Sequence, residues 1–195
     1  MTAVPKPKLT EAEYLAIEER AEFRSEFYRG EMFAMSGASY DHNRAKDNLA
    51  RHLNNQLDGG PCSAVTSDMK VKVDATGLFV YPDVVVVCGE PRFLAGRRDV
   101  LLNPAVVIEV LSPSTEAYDR GAKFRQYEQV PSLREIVLVA QDEAVCERYV
   151  RQPDGTWVRA TVTRLEDELV FATVPARVRL ADVYAGVTFP EAPPR

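Results

Sequence analysis

VYPDVVVVCG at residues 80–89 and NPAVVIEVLSPST at residues 103–115 are the two apolar runs on which the reading of this chain turns. Valine, isoleucine and tyrosine suit the pleated surface of a buried strand, and the flanking Gly, Pro and Asn punctuate like strand ends. Each run carries one carboxylate, Asp83 or Glu109. An ionised carboxylate in a buried strand costs several kcal/mol, or shifts its pKa, unless a cation, a metal or hydrogen-bond donors compensate it. Two of them in two core strands point to one shared cation.

The chain has 195 residues, 46% of them hydrophobic, which is enough for one packed domain spanning residues 1–195, with tails at 1–8 and 190–195. Its net charge of -5 argues against a broadly basic nucleic-acid coat but permits a local basic cleft. The three cysteines, Cys62, Cys88 and Cys146, form no CxxC pair and are expected to be reduced structural thiols. The first residues lack the apolar stretch of a secretory leader, and no run approaches membrane-spanning length, so a cytoplasmic location is expected.

Around the two runs, LTEAEYLAIEER places Thr10 as an N-cap with Glu13 three residues on, a capping box opening a short helix. EFRSEFYRGEMFAMSG predicts two strands about a turn at Arg29 and Gly30, with Glu31 starting the second. Residues 39–57 place Ala45, Leu49 and Leu53 at helical spacing, with His42 on the same stripe near the first turn. CSAVTSDMKVKVDATGLF predicts a strand or two and a turn. GEPRFLAGRRDVLLN, the most basic connection, is expected as an exposed loop or an interrupted helix. EAYDRGAKFRQYEQVPSL puts Lys123, Tyr127 and Val130 on one helical face, so Lys123 is expected to point inward. REIVLVAQD predicts a buried strand, VCERYVRQPDGTWVRATV a hairpin, and RVRLADVYAGVTFP a short strand or turn.

Asp83, Glu109 and Lys123, with His42 and Glu31 as neighbours, form the one set of polar groups expected to converge. Mg²⁺ takes oxygen ligands, typically one or two carboxylates plus water and substrate phosphate oxygens. A nearby inward lysine would stabilise charge on a phosphorus-centred transition state or lower the pKa of an attacking water. The pattern fits metal-assisted phosphodiester hydrolysis. No GxGxxG or GxxxxGK[ST] occurs, so no organic cofactor is expected, and Ser36 lacks the glycine pattern of a nucleophile elbow.

The proline-aspartate of YPDVVVV and the later VIEVLS resemble the PD-(D/E)XK nuclease superfamily. The ordered series LTEAEYL, YRGE, GASYDHN, SDMKV, YPDVVVVCG, NPAVVIEVLSPSTEAYDRGAKFRQY and VPSLREIVLV is similar to the Uma-two family of restriction-endonuclease-like proteins across nearly the whole chain. The resemblance implies an α/β (α+β) restriction-endonuclease-like fold, a central mixed β-sheet flanked by helices with additional β-hairpins. It also implies Mg²⁺, with Mn²⁺ as a substitute, held by Asp83, Glu109 and the backbone carbonyl of Val110, and DNA as substrate. The superfamily's lysine two residues after the glutamate is Leu111 here; the family's displaced lysine matches Lys123. Glu31 matches the family's glycine-glutamate pair and His42 the histidine opening its first core helix. Arg29 stands where the family has aspartate.

Plainer readings stand beside these. Asp83 can be satisfied by backbone N–H groups, His42 can be a cap or core residue, Glu31 a satisfied strand carboxylate and Lys123 a snorkelling surface side chain. Arg97, Arg98, Arg120 and Arg125 are solvated surface or flank a groove. The alternative function is a catalytically silent nuclease-fold module for nucleic-acid binding or assembly, and a third possibility is a buried ion-pair network. Tyr149 and Trp157, expected to be exposed on the hairpin at residues 145–162, suggest a homodimer that covers them and sets two sites for a two-stranded substrate.

Overall fold

Thr10 opens the first element as its sequence predicts. The computed structural model describes residues 7–66 and 68–190, so residues 1–6 and 191–195 of the expected tails lie outside the described residues. Thr10 Oγ1 accepts the Glu13 N–H at 3.2 Å and Glu13 Oε2 accepts the Thr10 N–H at 2.7 Å, closing the capping box ahead of α1 (Glu11–Glu18). β1 (Ser25–Tyr28) and β2 (Glu31–Ala34) form the expected hairpin, turned by Arg29 at φ 51° and Gly30 at φ 85°. α2 (Tyr40–Leu57) starts from Ser39, whose Oγ accepts the His42 N–H at 3.0 Å. β3 (Cys62–Thr66) and β4 (Lys70–Val73) follow.

Pro82 splits the first of the two decisive runs. β5 (Leu78–Val80) ends before it, and β6 (Val84–Cys88) belongs to a different sheet. Proline donates nothing to a strand ladder, so the chain changes sheets there. Asp83 therefore sits at the crossing and not within a strand. The connection expected as a loop or broken helix is a hairpin, β7 (Phe93–Leu94) and β8 (Arg97–Leu101). Its strand character is hidden because its charges neutralise one another on one face: Arg97 Nε donates to Asp99 Oδ1 at 3.0 Å, and Lys70 Nζ reaches Asp99 at 2.8 Å. β9 (Val106–Leu111) is the buried strand its sequence predicts.

The next helix is irregular: α3 (Glu116–Tyr118), a π-helical turn Asp119–Lys123, then α4 (Phe124–Tyr127). β10 (Glu135–Ala140) and the hairpin of β11 (Cys146–Arg151) and β12 (Trp157–Val162) agree with the sequence reading. A small ladder of β13 (Glu168–Val170) and β14 (Arg177–Arg179) leads into α5 (Leu180–Val183).

The central sheet runs β12-β11-β10-β9-β6-β3, mixed because β9 and β10 are parallel while the other neighbours are antiparallel. One face packs Val84, Val86, Ile108 and Val137 against Leu49 and Leu53 of α2. The other packs Val85, Val107, Leu111 and Leu138 against Tyr127, Val130 and Leu133, and against Val71, Val73 and Leu101 of the second sheet. That second sheet runs β2-β1-β5-β4-β8-β7, with Tyr14 of α1 stacked on Phe27 at 4.7 Å. Side chains alternate along strands, so Glu109 shares a face with Val107 and Leu111 and points into the layer between the sheets.

Two further expectations are corrected. Cys62 and Cys88 are joined by a disulfide, since the β3–β6 ladder sets them directly opposite despite a sequence separation of 26. Only Cys146 remains a thiol, and burial pushes it up to about 12. Tyr149 and Trp157 are not left open on their hairpin: both rings pack edge-on against Phe124, at 4.8 and 6.1 Å between centroids.

Candidate active site

Where the two sheets and the irregular helix meet, a cavity of about 600 Å³ opens between the segment 34–39 ahead of α2 and the loop 112–115 after β9. Lys123 lies on its floor. The i, i+4 spacing that predicted an inward face is realised through the π-helical turn, and Lys123 is 5% exposed. Its ammonium reaches Glu109 Oε1 at 2.9 Å, Glu26 Oε1 at 3.0 Å and Asp119 Oδ1 at 3.5 Å. Burial alone would lower its pKa, but Glu109, Tyr127, Glu26 and Asp119 together hold it well above the ordinary lysine value.

Glu109 is the buried strand carboxylate that its sequence predicts, at 4% exposure. Tyr127 donates its hydroxyl to Glu109 Oε1 at 2.5 Å. Burial, opposed by Lys123 and assisted by repulsion from Asp119 and Asp83, raises Glu109 from its ordinary 4.5 to about 8. Burial likewise raises Asp119.

Asp83 meets the plainer of the two readings its sequence allowed, satisfied in part by a backbone N–H. Its Oδ2 accepts the Val110 N–H at 2.8 Å, while its Oδ1 accepts from His42 Nε2 at 2.9 Å. The β6–β9 ladder begins at Val84 opposite Ile108, so Val110 lies beyond the paired stretch and Asp83 satisfies its N–H. His42, in the first turn of α2, faces the cavity as its stripe predicts, and its Nδ1 is buried without a partner among the described residues. Val110, expected to offer its carbonyl to a metal, lines the cavity.

Glu31 does not join them. It stands exposed at the turn end of β2 and outside the cavity lining. The carboxylate that the hairpin delivers is Glu26, which the register places opposite Phe33, farther from the turn. The signal for Glu26 was available: Phe27 belongs to the α1 layer, so its strand neighbour must face the other way. Asp119, four residues before Lys123 on the same face, was equally legible. Of the arginines expected to be solvated or to flank a groove, Arg97 pairs with Asp99 and Glu19 and Arg120 with Glu116 and Glu147, Arg98 and Arg125 are exposed, and none of the four lines the cavity.

Burial in a strand does not by itself make a carboxylate functional. Glu135, fully buried at the start of β10, accepts the backbone N–H groups of Ala172 and Thr173 at 3.1 and 2.8 Å and lies outside the cavity. What separates Glu109 is charge crowding. Glu26, Asp83, Glu109 and Asp119 line the cavity beside one lysine. Among the described residues no group of three or more His, Cys, Asp or Glu side chains is placed to hold a metal ion by itself. Asp83 and Glu109 nonetheless fit a hard divalent cation, which needs only one or two carboxylates before water and phosphate complete its shell, and whose charge the excess of carboxylates favours.

A crystal structure described as a "putative nuclease belonging to DUF820", from Anabaena variabilis, superposes with a TM-score of 0.74 over 92% of this chain and 99% of that one. At 15% identity that likeness concerns the fold. The Synechocystis proteins slr1290 and sll1609, both described as uncharacterized, are 36% and 35% identical, covering 96% and 84% of this chain and 97% and 93% of their own lengths. The model of the Uma2 family, described as "Putative restriction endonuclease", matches residues 11–181, and with that match the restriction-endonuclease-like chain belongs to the Uma2 family.

Proposed function

We propose that this protein is a Mg²⁺-dependent nuclease, with Mn²⁺ as a substitute, that hydrolyses DNA phosphodiester bonds at this cavity. The observation that carries the reading is the buried ammonium of Lys123 held against Glu109 at 2.9 Å, with Asp83 bonded at 2.8 Å to the N–H of the neighbouring Val110. Asp83 and Glu109 would hold the ion. When bound, it supplies Lewis acidity at a phosphoryl oxygen and a more acidic water. Lys123, whose ammonium is already paired with Glu26, Glu109 and Asp119, donates hydrogen bonds and positive charge where negative charge accumulates on the transferring phosphate. Tyr127 fixes the orientation of Glu109, and His42 fixes that of Asp83. Glu26 shares the ammonium and sets where it points.

A catalytically silent binding or assembly module is the second reading, favoured by the three carboxylates that already enclose Lys123. Calorimetric titration with Mg²⁺ and Mn²⁺, run beside plasmid and oligonucleotide cleavage, separates the two. The nuclease reading expects metal binding and cleavage in the wild type, both lost in folded Glu109→Ala and Asp83→Asn, with turnover down at least ~100-fold. Cleavage that survives both substitutions overturns the site. No metal binding and no cleavage in the wild type favours the silent module. We also propose a homodimer, now resting on the edge strand β12, where Val158 is 55% exposed. Sedimentation as a monomer at micromolar concentration would remove it.

A further inference from the structure

We propose that the cavity accepts a single-stranded or locally unpaired segment of nucleic acid, seating an unstacked base against aromatic side chains, and not an intact duplex. This rests on the nuclease reading of the same site and goes further by naming the form of the substrate.

Large apolar side chains stand open around the carboxylates. Phe33 is 49% exposed, Met35 39% and Tyr118 39%, and all three line the cavity. Two of the rings flank one group. Phe33 is the cross-strand neighbour of Glu26 in the β1–β2 ladder, which brings their Cβ atoms to about 5 Å. Tyr118 donates its hydroxyl to Glu26 Oε2 at 3.0 Å, and the Lys123 ammonium lies 5.9 Å from its ring centroid. Tyr118 is thus anchored by its polar end while its ring stays open, a fixed platform beside the lysine. A base stacks on such a face whatever its identity, because every base has a π surface.

Charge argues in the same direction. Duplex binding draws most of its affinity from several Lys and Arg side chains that neutralise phosphates. Lys123 is the single Lys or Arg among the described residues lining the cavity, and three carboxylates hold it. The neutral polar groups that line the cavity include the hydroxyls of Ser36, Ser39 and Ser112 and the amide of Gln141. Such a surface grips a strand by stacking and neutral hydrogen bonds, with the cation site for the one phosphate under attack.

The test is fluorescence anisotropy of end-labelled oligonucleotides in Ca²⁺, with each oligonucleotide shown intact on a gel afterwards. One sequence is presented as single-stranded DNA, single-stranded RNA, blunt duplex, and single-stranded DNA with abasic sites. At least one of the single strands should bind tenfold or more tighter than the duplex, and abasic sites should weaken binding. Phe33→Ala, at an exposed position expected to fold normally, should weaken single-strand binding about 5- to 150-fold while leaving duplex binding unchanged. Duplex bound as tightly as single strand, binding of neither, or a Phe33→Ala variant with unchanged preference overturns the proposal. Single-strand preference without cleavage in Mg²⁺ or Mn²⁺ would overturn the nuclease reading alone, and Glu109-dependent cleavage of intact duplex without single-strand preference would overturn this one alone.

Discussion

Glu109 carries opposing demands. Its ionised form suits a metal and the Lys123 ammonium, yet in the metal-free protein burial and the nearby Asp119 and Asp83 favour the proton. A carboxyl whose folded value is raised contributes stability that is complete below the unfolded value, here about 4.5, and is lost as pH climbs through about 8. In EDTA, the metal-free protein should therefore lose stability across that window. Glu109→Gln retains an acceptor for Tyr127 and Lys123 but has no charge to bury, so it should flatten that loss. At pH 8 it should melt above the wild type, by about 2–4 °C for each kcal/mol relieved. Thermal scans at pH 5 and pH 8 check this; a variant that melts lower at pH 8 would show that the Lys123 ion pair outweighs the crowding. The same substitution should abolish cleavage, a trade of activity for stability at a strained site.

Among the elements, the β1–β2 hairpin delivers Glu26 and Phe33 to the cavity, and its turn imposes opposite requirements on two adjacent residues. Arg29 at φ 51° occupies a left-handed conformation that a long side chain adopts at a cost, partly offset where its guanidinium lies 5.0 Å from the Tyr28 ring. Asn tolerates that conformation, so Arg29→Asn should stabilise the protein by about 0.5 kcal/mol, read from denaturant midpoints. Gly30 at φ 85° has no such freedom: a Cβ there would come within 2.5 Å of Lys8 Cβ. Gly30→Ala should destabilise by about 1–3 kcal/mol. The turn was legible because glycine marks it, and the inward Lys123 and buried Glu109 were legible because helical and strand periods each fix a face. The departures have equally local causes. Pro82 reads as part of an apolar run although it ends one strand and precedes another, and β8 hides its alternation because Arg97 and Asp99 neutralise each other. The glycine-glutamate motif points to Glu31, whereas strand alternation and register bring Glu26 to the cavity.

At the scale of the whole molecule, the two six-stranded sheets share the core that holds Val85, Val107 and Leu138 against Val71 and Leu101, so neither sheet closes without the other. No helix among the described residues is long and apolar enough to cross a membrane. The covalent bond between Cys62 and Cys88 ties β3, the edge of the central sheet, to β6, whose first residue follows Asp83. Such bonds are uncommon in the reducing cytoplasm that the sequence led us to expect. Closing a loop of 26 residues in the unfolded chain lowers its entropy by an amount worth about 3.5 kcal/mol in the chain-entropy account. Because the sheets share one hydrophobic cluster, that loss should appear as a shift of a single transition and not as separate melting of the edge. Dithiothreitol should lower the urea midpoint of the wild type and leave Cys62→Ser, already lower, where it stands. A wild-type midpoint indifferent to the reductant would place both thiols in the reduced state and leave β3 held by its ladder and by Asn54, whose side chain exchanges two hydrogen bonds with the Ala64 backbone at 3.0 and 3.1 Å.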